Sequence, residues 1–109
     1  MQFKLIMTFV KPSITDDVVD AMKKAGATGA TIIPARGTGM HEAKTFFGLS
    51  IENQTDIIVF LVEEHVVENL MKVIQLAGKF EKPGTGIAFV LPIEHVAGLG
   101  SQMKIYKDQ

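Results

Sequence analysis

Three stretches of this chain, residues 3–10, 57–62 and 87–91, are apolar almost throughout and rich in β-branched and aromatic types. Without polar alternation they predict strands buried on both faces. A shorter run at 30–33 has the same character. Between the runs the apolar spacing is helical: Ile14, Val18, Ala21, Met22 and Ala25 form one stripe, and Val66, Leu70, Val73, Ile74 and Ala77 a second. Pro12 blocks continuation of the first strand. Ser13 predicts the N-cap of the first helix, with Asp16 and Asp17 favouring its positive end, and Gly26 predicts a left-handed stop. The second helix is predicted over about 64–77, with Gly78 repeating that stop.

The two halves are copies. Residues 5–10 fall on 57–62 and Ala25-Gly26 falls on Ala77-Gly78, at one offset and without a gap. A duplicated strand-helix-strand unit predicts an α+β, ferredoxin-like βαββαβ sandwich, with two helices on one face of a four-stranded antiparallel sheet. The halves differ in the junction, residues 34–56, where function is expected to sit. There, 44–51 has strand character and 52–55 reads as a turn, predicting a long hairpin.

Helices on one side leave the second sheet face uncovered, and its positions are apolar as well. A lone subunit would expose roughly several hundred Å² of it, more than soluble monomers usually show. The expectation is a homo-oligomer packed through the open faces, a ring of three for this fold. The alternative is that residues 38–50 or the tail fold back over the face.

The 109 residues predict one domain over 1–109, with a variable loop at about 38–55 and a polar, glycine-marked tail at about 98–109. A formal charge of -1 with scattered cations argues against nucleic acid as a partner. With no cysteine, disulfides, thiolate metal sites and thiol catalysis are excluded together. The start, Met-Gln-Phe-Lys, lacks the features of a secretory signal, and no apolar run approaches the roughly 20 residues of a membrane span. A cytoplasmic protein without membrane insertion is expected.

His41, His65 and His95 lie in three different elements with no second ligand at metal spacing, and no paired-carboxylate pattern appears, so neither a metal site nor a catalytic residue is predicted. His65 reads as solvated, and His95 as structural at the start of a last short helix. His41 stays open, because it stands in the junction. The sharper signal is a pair of glycine loops, Arg36-Gly37-Thr38-Gly39 after the second strand and Pro83-Gly84-Thr85-Gly86 before the last. Glycines let backbone N–H groups close around an anion. Either loop alone reads as a turn; at symmetric strand ends, which the repeat should bring near each other, they predict a ligand cleft between subunits.

These features resemble the PII family of trimeric signalling proteins over nearly the whole chain. The resemblance rests on Val10-Lys11-Pro12, Asp17-Val18-Val19, and Gly26-Ala-Thr-Gly-Ala-Thr-Ile-Ile33 running into Arg36-Gly37-Thr38-Gly39. Further along it rests on Val66-Val67 and Gly84-Thr85-Gly86-Ile-Ala-Phe-Val-Leu-Pro-Ile-Glu94. It implies a homotrimer with an adenine-nucleotide cleft between neighbours and a loop that acts on a membrane transporter or an enzyme. Thr31, Gly37 and Gly39 match positions lining that cleft, and Gly84 and Gly86 match glycines over the phosphates. Arg36, Thr38 and Thr85 join them as candidate ligand contacts.

Departures from the family pattern change the expected ligand. Ile87 replaces a lysine, Met40-His41 replaces an Arg-Gln pair, and Gly98-Leu-Gly-Ser101 replaces an arginine-bearing tail motif. A triphosphate carries about four negative charges, and charge-assisted bonds are about twice as strong as neutral ones. Arg36, Lys79, Lys82 and tail Lys104 are the cations on offer, so ADP, AMP or a cyclic nucleotide stands level with ATP. Without the glutamine, the family's magnesium-bridged 2-oxoglutarate site is not expected, nor is magnesium expected to be essential. The loop has no tyrosine to modify. Met40, His41, Phe46 and Phe47 are its candidate partner contacts; the two phenylalanines read either as exposed anchors or, the favoured reading, as hairpin core. The expectation is a non-enzymatic regulator, and the alternative a divalent-metal-binding trimer of the same fold that would need His41.

Overall fold

A computed structural model describes residues 2–36, 45–46, 49–50 and 54–99 of the protein. Strand β1 (Phe3–Val10) leads into helix α1 (Pro12–Lys24) and strand β2 (Thr31–Ala35). A short antiparallel pair follows, β3 (Thr45–Phe46) and β4 (Leu49–Ser50). Strand β5 (Thr55–Glu63) passes through a 3-10 turn (Glu64–Val66) into helix α2 (Val67–Ala77), and β6 (Gly86–Pro92) ends the main sheet. That sheet has the order β2-β5-β1-β6 and every pairing in it is antiparallel. The predicted sandwich is the observed fold.

Strand geometry sends alternate side chains to opposite faces. Ile6, Thr8 and Val10 of β1 and Ile58, Phe60 and Val62 of β5 face the helices and are buried. Val18, Val19 and Met22 of α1 meet them with Leu70 and Ile74 of α2. Each such apolar side chain contributes about 1.5–3 kcal/mol. The other face carries Leu5, Met7, Phe9, Ile57, Val59, Leu61 and Phe89, all half-buried in the single chain. Phe9 and Phe89 stack there with ring centroids 5.6 Å apart. Ile33 and Leu91 at the two margins are 44% and 38% exposed. The helix-free face is therefore largely apolar, with Thr31 and Glu63 as polar positions toward one end.

Several local expectations are corrected. Helix α1 begins at Pro12, with extended Lys11 as its N-cap and no side-chain cap, so Ser13 lies inside the helix. Proline sets this start, because it fits the first helical position and holds its predecessor extended. No acidic residue stands in the first turn. The nearby carboxylate comes from the sheet: the Thr15 hydroxyl donates to Asp56 Oδ2 at 2.6 Å. The inward stripe of α1 also turns toward Thr15 and Val19, both buried.

Both helices end in the same hydrogen-bonded motif, with glycine placed differently. After α1, Gly26 N–H bonds Lys23 O and Ala27 N–H bonds Met22 O, with Gly26 at φ 112. After α2, Lys79 N–H bonds Leu76 O and Phe80 N–H bonds Gln75 O, with Lys79, not Gly78, at positive φ (55). The junction segment pairs with itself, Thr45 opposite Ser50 and Phe46 opposite Leu49, and the turn expected at 52–55 falls largely outside the described residues. His95 opens no helix; residues 93–98 are irregular.

Thr8 is fully buried between β5 and β6, and its hydroxyl finds no hydrogen-bond partner among the described residues. A buried unpaired hydroxyl costs about 1–3 kcal/mol. Thr8→Val keeps the shape and removes that group, so chemical denaturation should show a gain of about 1 kcal/mol with an unchanged m-value.

Candidate functional site

Strands β2 and β5 differ in length, and the difference makes a cavity. Pairing runs from Thr31 opposite Val59 to Ala35 opposite Thr55. Beyond Val59, β5 continues to Glu63 with only β1 beside it, while residues 26–30 diverge. The gap is a cavity of about 720 Å³ with Thr28, Gly29, Thr31, Val59, Leu61 and Leu99 in its wall. An unpaired strand edge presents backbone N–H and C=O groups to such a space. Glu63 is the only charged lining residue among those described, and His65 Nε2 stands 3.4 Å from its Oε2. The wall is thus mainly apolar, with hydroxyls, backbone and the Glu63 carboxylate for polarity and no cation among the described residues.

The second glycine loop, residues 79–86, lies beyond α2 and is braced from within. Lys82 N–H bonds Lys79 O at 3.0 Å. The Thr85 hydroxyl is within hydrogen-bond distance of both Lys79 O (2.8 Å) and Lys82 O (2.9 Å) and shares its proton between them. Gly84 has φ 79, a conformation open to glycine and strained for most residues. Gly86 has ordinary φ but no room: a Cβ there would lie 2.6 Å from Phe80 Cε1 and 2.8 Å from Phe9 O. Gly84 therefore answers to backbone conformation and Gly86 to packing, and Thr85 is a brace.

Within one subunit the two candidate regions do not meet. Gly86 pairs with Val10, Val10 with Asp56, and Asp56 with Pro34, so the end of β2 and the start of β6 lie at one end of the sheet. They lie on opposite edges, three strand spacings or about 14 Å apart. The expected cations divide likewise: Arg36 follows β2, while Lys79 and Lys82 belong to the loop before β6. Thr31 is in the cavity wall, and Gly84, Thr85 and Gly86 are absent from it. Gly37, Thr38, Gly39, Met40, His41, Phe47 and Lys104 lie outside the described residues, and Phe46 is described only as part of β3. Among the described residues no group of three or more His, Asp or Glu could hold a metal ion. His65 is solvated as expected, its side chain 73% exposed.

Sequence reasoning passed over Val59, Leu61 and Leu99 as cavity walls. A signal was available: the second apolar run is much shorter than the run it pairs with, which implies an unpaired stretch of edge.

Comparison with known proteins agrees with this architecture. The model of the family described as nitrogen regulatory protein P-II matches residues 3–102. The nitrogen regulatory protein P-II of Azospirillum brasilense is 31% identical over 98 residues, covering 85% of this chain and 88% of the relative. Its counterpart from Rhodospirillum rubrum is 30% identical over 96 residues, covering 84% and 86%. Among solved structures, Arabidopsis thaliana PII bound to citrate superposes with a TM-score of 0.66 at 25% identity, covering 85% of this chain and 78% of that one. With its duplicated half and its antiparallel sheet in place, the chain belongs to the nitrogen regulatory P-II family of signal-transduction proteins.

Proposed function

We propose that this PII-family regulator works as a homotrimer that binds a small adenine nucleotide between subunits and uses the 40–53 segment to control a membrane transporter or an enzyme. One observation carries the reading: two candidate half-sites, the cavity beside β5 and the 79–86 loop, occupy opposite edges of one sheet with a largely apolar face between them. Packing three such faces together buries the apolar surface. It also brings the β2 edge of one copy toward the 79–86 loop of the next. The cavity beside β5 suits an uncharged planar base, through its apolar walls and its unpaired backbone edge. The 79–86 loop, with Lys79 and Lys82, suits phosphate. A relative is known with citrate bound, which supports a small polyanion as ligand.

The ligand's charge follows from the cations on hand. None lines the cavity among the described residues; Arg36 follows β2, and Lys79 and Lys82 belong to the 79–86 loop. A nucleotide with one or two phosphates is favoured over ATP, because each unpaired phosphate charge drawn from water is expensive. Binding controls the output by differential contact: a ligand shared between copies favours whichever arrangement of the 40–53 segment touches it better. No step of this requires catalysis.

Calorimetry of the full chain with ATP, ADP, AMP and cyclic AMP should give saturable binding, with ADP or AMP at least as tight as ATP. Heats absent for all four at millimolar concentration would remove the nucleotide from the scheme. Met7 lies at the middle of the open face, opposite Val59 and Phe89. Met7→Glu should convert a trimer in sedimentation velocity to a monomer with native circular dichroism, and nucleotide binding should vanish with it. A variant that still sediments as a trimer would show that the copies do not associate through this face.

A further inference from the structure

We propose that Phe80 is the positioning residue of the 79–86 loop: its ring is a wedge between the end of α2 and the start of β6 that fixes the glycines before any ligand arrives. This rests on the reading of that loop as half of the ligand site. A single ring atom, Cε1, fills the space that side chains at two glycines would need. A Cβ on Gly78 would lie 2.3 Å from it, and one on Gly86 2.6 Å. Gly78 ends α2, and Gly86 opens β6 opposite Val10. The ring thus ties the last turn of a helix to the first pairing of a strand, with the whole loop strung between.

Ordinary core packing does not account for this placement. Phe80 is only half-buried and packs at the margin of the core cluster. Its outer side faces an open cavity of about 440 Å³ whose wall includes Lys72, Gln75 and Leu76. A core phenylalanine such as Phe60 is fully enclosed. Two glycines, by contrast, are spent on admitting the ring of Phe80. Its backbone is tied down as well, Phe80 N–H bonding Gln75 O at 3.0 Å. A loop held in this way loses little further freedom on binding, and pre-organisation of this kind raises affinity without a contact to the ligand.

The test compares Phe80→Ala and Phe80→Tyr in the full chain, by NMR order parameters of the backbone amides and by calorimetric affinity for ADP. Wild-type amides at residues 84–86 should be rigid, with order parameters near about 0.85, and Phe80→Ala should bring them below about 0.6 while β1 stays unchanged. ADP should then bind at least about tenfold more weakly. Phe80→Tyr keeps the ring and should restore both. Gly78→Ala displaces the ring rather than deleting it and should loosen the same amides, and adding it to Phe80→Ala should change nothing further. Rigid 84–86 amides in Phe80→Ala, or a loosening spread equally over β1, would overturn the assignment. If wild-type protein binds no ADP, the nucleotide reading fails for ADP, and the order parameters still decide the role of Phe80.

Discussion

Strand β1 is paired on both sides, by β5 across Phe3–Val10 and by β6 from Lys4 to Val10, and its alternate side chains enter two separate apolar environments. That double demand governs the subunit. Ile6, Thr8 and Val10 are satisfied by α1 and α2, which the duplicated half supplies once each. Leu5, Met7 and Phe9 have no helix and meet only side chains of their own sheet face, such as the Phe9–Phe89 stack. Burial on the helix side accounts for folding of one chain. In the proposed trimer, burial on the other side would come from a neighbouring copy, and the apolar character of that face would then link stability to assembly.

Edges matter as much as faces. An antiparallel sheet of this order has two free margins, β2 and β6, and the chain treats them differently. Pro34 lies in β2, where it removes one backbone donor from an edge that would otherwise invite further pairing. The shortness of β2 then leaves the far half of β5 open, and the cavity forms there. At the β6 margin the glycine loop is closed on itself through Thr85. One margin offers apolar walls with backbone polarity, and the other offers cations and a braced turn. In the proposed assembly, a ligand with a planar, uncharged end and a charged end would use one margin from each of two copies.

Much of this was legible in the residues. Unalternating apolar runs gave the strands, buried on the helix side and half-buried on the other face of the single chain, and β1 came out at the predicted bounds because Pro12 ends it unambiguously. The duplication fixed the order of elements and, through it, the fold. Three things escaped. Ser13 has the chemistry of an N-cap, but a preceding proline outranks it, since the first helical position tolerates proline and demands nothing of Ser13. The nearness of the two glycine loops was inferred from the repeat's symmetry, whereas within one subunit the strand order sets the end of β2 and the start of β6 at opposite edges of the sheet. The cavity depends on where β2 stops pairing, a tertiary fact that strand length only hints at.

Gly78 shows why a repeated motif can mislead. Both copies end a helix with glycine, and in the first the residue sits where the backbone must turn left-handed, at Gly26. In the second, the left-handed residue is Lys79, and glycine stands one position earlier, in a conformation any residue adopts. A non-glycine residue in that region is disfavoured by roughly 1–2 kcal/mol. The chain accepts this strain because the position before it has a stricter need: a Cβ on Gly78 would lie 2.3 Å from the Phe80 ring. Overlap at that distance is not relieved by small adjustments, whereas a left-handed lysine is merely uncommon. Where conformation and space both ask for glycine and one is available, space takes it. The two halves thus share a pattern of residues while using it for different physical ends, and the half that departs is the one carrying the braced loop.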